Sequence, residues 1–110
     1  MTFNGLLYKG LFKEMHMPDK IRSHVIISGK VQGVCFRMEA KRVADRFNVY
    51  GWVKNNRDGT VEAVFEGNIN DVNSVIEWCK KGPPYSRVVR VDVEQGTYTG
   101  AFEEFDVKYR

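Results

Sequence analysis

Cysteine, histidine and proline are scarce in this sequence: two, two and three among 110 residues. No run of about 18 or more apolar residues occurs, which excludes a membrane-spanning helix. Cys35 and Cys79 form neither a CxxC pair nor a zinc-type cluster with histidine. They read as two reduced thiols in a cytoplasmic protein. No cluster of acidic residues suggests a magnesium site. The net charge of +3 is too small by itself to imply a nucleic-acid partner.

What remains is ordinary globular material, 43% hydrophobic and 28% charged, enough for one compact domain with a single core. Residues 1–20 differ from the rest. They scatter apolar residues without strand alternation, and they lack the apolar core and cleavage site of a secretory signal. Met17 offers an alternative start. Residues 1–20 are therefore read as an N-terminal extension, poorly ordered or non-native, and residues 21–110 as the domain.

Ser23–Gly29 is β-branched and ends in glycine, the pattern of a buried strand. From Phe36 the apolar positions Phe36, Ala40, Val43, Ala44 and Phe47 form one face of a helix that Asn48 ends. Val49–Asn55 and Thr60–Gly67 read as strands joined by a hairpin at Asp58-Gly59. Val61, Ala63 and Phe65 share one face of the second strand, with Glu62 and Glu66 opposite. Asn70 is the expected cap of a second helix. Its inner stripe is Val72, Val75, Ile76 and Cys79, and Gly82-Pro83-Pro84 stops it. Val89, Val91 and Val93 then mark one side of a fourth strand, and Phe105–Tyr109 alternates as a short last one. The order βαββαβ predicts an α+β, ferredoxin-like split βαβ sandwich, an antiparallel sheet with two helices on one face.

The chemistry concentrates in GKVQGVCFR, Gly29–Arg37. Two glycines at a strand-to-helix turn let successive N–H groups converge on an anion. The helix start adds unpaired donors and the positive end of its dipole. Arg37 is unfavourable there by a few tenths to about 1 kcal/mol, which a bound phosphate would offset. Spacing alone fits an anion site and a plain glycine turn with a solvated arginine equally well. It does exclude other phosphate motifs. GK is not followed by Ser or Thr, GxGxxG is absent, and Lys41 stands six beyond Cys35, where a cysteine phosphatase would carry arginine.

A second segment, GWVKNNRDGTV over Gly51–Val61, places Asn55 at the end of a strand, where asparagine commonly serves the turn. Trp52 reads as a packing residue. Together the two segments closely resemble the acylphosphatases, and GPPYSRV and the closing FDVKYR fit that pattern too. The resemblance covers residues 21–110. It implies the ferredoxin-like fold and hydrolysis of an acyl phosphate to carboxylate and inorganic phosphate, without cofactor or metal. It also implies that Arg37 and the amides of Gly33, Val34, Cys35 and Phe36 bind the phosphate, and that Asn55 orients the attacking water. Cys35 and the N-terminal extension are the departures from the family pattern.

That reaction suits a site without histidine. A carboxylate, with a conjugate acid pKa near about 4, leaves without a proton, so no general acid is needed. His16 lies in the extension and His24 on the first strand. Two other readings share the fold. An RNA-recognition module needs aromatics on its central strands, and the third strand offers only Phe65, on the core face. An inactive anion-binding domain is disfavoured by intact Arg37 and Asn55. The expected partners are therefore an acyl phosphate and inorganic phosphate, with no nucleic acid and no membrane, and the chain is expected to act as a monomer.

Overall fold

The computed structural model describes residues 19–109. The expectation for the N-terminal extension falls, up to residue 18, outside the described residues. Seven elements follow: β1 (Lys20–Lys30), α1 (Phe36–Arg46), β2 (Tyr50–Asn55), β3 (Val61–Asn68), α2 (Ile69–Lys81), β4 (Arg87–Gly96) and β5 (Phe105–Lys108). The sheet order is β4-β1-β3-β2-β5. Each helix thus joins two parallel strands with a third strand between them, the ferredoxin-like α+β arrangement.

The periodic stripes carry the core. Phe36, Ala40, Val43 and Ala44 of α1 are buried, as are Val72, Val75, Ile76 and Cys79 of α2. They meet Val25 and Ile27 of β1 and Val61, Ala63 and Phe65 of β3. Phe65 stacks on Phe105 with ring centroids 5.5 Å apart. Burial pushes the Cys79 thiol up to about 12 and keeps it unreactive.

Four details differ from the sequence-based expectation. The sheet is mixed, because β5 pairs parallel to β2 while the other strand pairs are antiparallel. Helix α2 begins at Ile69, after Asn68, so Asn70 sits inside its first turn and caps nothing. The main-chain N–H of Ile69 donates instead to the carbonyl of Asp19, which ties the helix start to the entry of β1. Gly29 belongs to β1, where the pairing with β4 shifts register. A Cβ there would lie 2.1 Å from the Arg87 carbonyl oxygen, so glycine serves strand packing and not the loop. The same irregularity breaks the expected valine face of β4. Val88 pairs with Gly29 and packs on the core, whereas Val89 is 73% exposed.

Glu66 stands on the face where alternation put it. It faces away from the core-facing residues of β3, yet it is 2% exposed. The connection between β4 and β5 crosses the sheet and closes over it. Thr99 donates from its N–H and its hydroxyl at 3.0 and 2.7 Å, Gly100 N–H at 3.1 Å, and Arg22 at 3.1 Å. Burial alone would raise this carboxyl, but the Thr99, Arg22 and Gly100 donors outweigh it and hold the pKa below the usual range. Glu66→Gln is therefore expected to cost about 1.5–3 kcal/mol in urea unfolding, because charged hydrogen bonds are lost and buried donors stranded. A lowered folded-state pKa stabilises fully above the ordinary glutamate value of about 4.3, and the contribution disappears as pH falls through the folded value. The variant should accordingly lose less stability than the wild type on acidification, and an unchanged pH slope would refute the assignment.

His24 lies on the helix-free face, with its Nε2 2.6 Å from Glu62 Oε2. That hydrogen bond, with smaller help from Asn56 and Lys54, holds Glu62 below its usual range. Trp52 also lies on this face, half-buried, with Lys54 and Lys108 ammonium groups 5.5 and 4.7 Å from its ring centroid. It meets these two ammonium groups and is not part of the core cluster.

Candidate active site

The loop from Val31 to Cys35 joins the end of β1 to the start of α1. Val31 and Phe36 anchor it, at 1% and 2% exposure. Phe36 also packs on Trp78 of α2, with centroids 5.2 Å apart. Between these anchors the chain turns through two left-handed residues, Gly33 with φ 76° and Cys35 with φ 65°. Glycine adopts this freely, but at cysteine the strain is of order 1–3 kcal/mol. The first helical hydrogen bond of the turn runs from Glu39 N–H to the Cys35 carbonyl. Among the described residues, no main-chain carbonyl accepts from the N–H groups of Gly33 through Met38. A row of free donors at a helix N-terminus is a site able to hold an anion.

Arg37 is the second residue of α1. One guanidinium nitrogen, Nη1, donates to the carbonyl of Lys108 at 3.0 Å. The guanidinium carbon lies 4.6 Å from the centroid of the Tyr109 ring. The parallel pairing of β5 with β2 brings these partners, since it sets Lys108 beside Lys54 and so carries Tyr109 alongside the end of β2. The side chain is thus fixed by one arm and by ring contact, with its remaining donors available to a ligand.

Asn55 ends β2, paired with Val61. The hairpin does not depend on its side chain. Asn56 Nδ2 donates to Thr60 Oγ1 at 3.0 Å, and Asp58 accepts from Thr60 N–H and hydroxyl at 3.0 and 2.7 Å. The Thr60 hydrogen bonds hold the Asp58 carboxyl below its usual range. The turn work that spacing assigned to Asn55 falls to its neighbours.

Gly33, Cys35, Phe36, Arg37, Asn55 and Tyr109 line one cavity of about 140 Å³, completed by Val31 and Met38. That is smaller than the ~300–1,000 Å³ of sites that enclose a drug-sized ligand. It suits a phosphate-sized group with the rest of the molecule outside. Val34, also expected to contribute an amide, is half-buried in the loop beside it. Cys35 and Cys79 are both free, one exposed and one buried. Among the described residues no three His, Cys, Asp or Glu side chains gather to hold a metal.

The model of the family described as Acylphosphatase matches residues 23–107. The chain belongs to the acylphosphatase family. An acylphosphatase of Syntrophus aciditrophicus is 50% identical over 88 residues, spanning 80% of this chain and 92% of that protein. The crystal structure of acylphosphatase from Bacillus subtilis superposes with a TM-score of 0.78 at 36% identity, covering 81% of this chain and 99% of that one. The T. kodakarensis HypF structure matches with a TM-score of 0.71 at 33% identity, over 82% of this chain but 12% of that much longer one. The family's reaction is hydrolysis of acyl phosphates, an acid-anhydride cleavage.

Residues of both acylphosphatase-like segments, Gly33, Cys35, Phe36 and Arg37 from one and Asn55 from the other, line this one cavity. Sequence reasoning missed Lys108 and Tyr109 as the support of Arg37. It also passed over Gln32, inside the quoted loop motif, whose contacts only the folded hairpin reveals.

Proposed function

We propose that this acylphosphatase hydrolyses the carboxyl-phosphate bond without a metal, with Arg37 and the amides of Gly33, Val34, Cys35 and Phe36 binding the phosphate and Asn55 placing the water. What supports this reading is the convergence of Arg37, the loop and Asn55 on one small cavity. Phosphoryl transfer depends on positioning and on stabilising charge over the equatorial oxygens. Arg37 and the amides supply positive charge to those oxygens. Asn55 holds a water in line with the departing carboxylate. The leaving group needs no proton, and a phosphate oxygen of the substrate can accept the proton that the water loses.

The partners in this reading are a small acyl phosphate and inorganic phosphate, with no nucleic acid. Phe65 supports the last point, being buried against Phe105 and away from the open sheet face. No helix among the described residues is long and apolar enough to cross a membrane. In this reading the chain acts as a monomer in the reducing cytoplasm, a compartment that suits its two free thiols. Residues 21–110 form the catalytic domain, behind the N-terminal extension.

Benzoyl phosphate hydrolysis in the presence of EDTA tests the proposal. Turnover should be unaffected by the chelator and inhibited competitively by inorganic phosphate. Hydrolysis no faster than the buffer blank would identify an inactive anion-binding domain, and abolition by EDTA would exclude the metal-free mechanism.

A further inference from the structure

Gln32 lies in the loop, half-buried, and its side chain leaves the loop altogether. Its Nε2 donates to the carbonyl oxygens of Asn56 at 2.7 Å and Thr60 at 2.9 Å. Both partners only accept, so the amide nitrogen must face them and both its hydrogens are engaged. These carbonyls lie at the two sides of the β2–β3 turn, and Asn56 directly follows Asn55. One side chain of the anion loop therefore clamps the base of the hairpin that presents Asn55.

We propose that Gln32 is a positioning residue that fixes the distance between the phosphate held by the loop and the water held by Asn55. The proposal rests on the Asn55 reading above. The two halves of the site sit on separate elements, 18 positions apart from Arg37 to Asn55 by subtraction of their numbers. In-line attack tolerates little error between them, since misplacement by about 1 Å can cost about 10²-fold in rate. The hairpin does not need Gln32 to form. Asn56 O also accepts from Gly59 N–H at 3.2 Å, and Thr60 O from Asn56 N–H at 2.9 Å. Removing the clamp leaves neither carbonyl unsatisfied. It frees the hairpin to drift relative to the loop.

The test is a double-mutant cycle on benzoyl phosphate turnover, with inorganic phosphate inhibition measured in parallel. Gln32→Met keeps the length and removes the donors. Gln32→Ala removes both and guards against a misplaced methionine. Either should lower kcat about tenfold or more while the phosphate inhibition constant stays within about threefold. Retained phosphate binding also shows that the loop is folded. Combined with Asn55→Ala, Gln32→Met should lower kcat by less than about twofold further, because residues acting as a unit are not additive. Full turnover in both Gln32 variants, with Asn55→Ala impaired, overturns the clamp alone. So do additive losses in the double variant, or losses of phosphate affinity that match the fall in kcat. Full turnover in Asn55→Ala overturns the water assignment itself, and the clamp with it.

Discussion

Arg37→Ala is expected to lower kcat for benzoyl phosphate by at least about 10²–10³-fold, the effect of losing one preorganised donor to a transition-state oxyanion, about 2.7–4 kcal/mol. The expectation follows from its place in the fold. The guanidinium lines the cavity within the first turn of α1, where a cation opposes the helix dipole and no carboxylate is paired with it among the described residues. Its protein contacts are a carbonyl and a ring, which orient the fork without neutralising it. A phosphate dianion would neutralise that charge, and its binding should fall together with turnover. Arg37→Lys should recover little. An ammonium keeps the charge but cannot donate to Lys108 O and grip two phosphate oxygens with one rigid plane. Near-normal turnover in either variant would remove Arg37 from the mechanism.

The contrast between what was legible in the sequence and what was not runs through this same residue. Local chemistry could be read directly. The helix stripes and the hairpin at Asp58-Gly59 each depend on residues within a few positions of one another, and both appear where spacing put them. The support of Arg37 depends on Lys108, 71 positions away. That contact exists only because the chain crosses the sheet after β4 and β5 then pairs parallel to β2, in a register no short-range pattern encodes. The burial of Glu66 was out of reach of the sequence for the same reason. Alternation put it correctly on the outer face, but burial came from the crossing segment at Thr99 and Gly100. The valine face of β4 failed for a different reason, because one bulged residue resets the period-two pattern. Asn55 lies between these cases. Its spacing alone favoured a turn role, and the folded hairpin shows Asn56 and Asp58 doing that work.

Asn55→Ala should separate turnover from binding. The substitution removes an amide at the end of β2 and leaves the hairpin's own hydrogen bonds in place. The loop, its row of N–H donors and Arg37 lie on other elements and stay as they are. Inorganic phosphate should therefore bind within about threefold of the wild type, while kcat falls by about 10²-fold or more, since a water no longer held in line forfeits the positioning on which the step depends. A change confined to kcat marks an interaction made in the transition state and not in the ground state. Asn55→Asp offers a further discrimination. Its carboxylate can orient a water but sets a negative charge across the cavity from the bound phosphate. It should weaken phosphate inhibition more than Asn55→Ala does, and more strongly at low ionic strength. Equal loss of phosphate binding and turnover in Asn55→Ala would make Asn55 a part of the anion site, and the water would then need another holder.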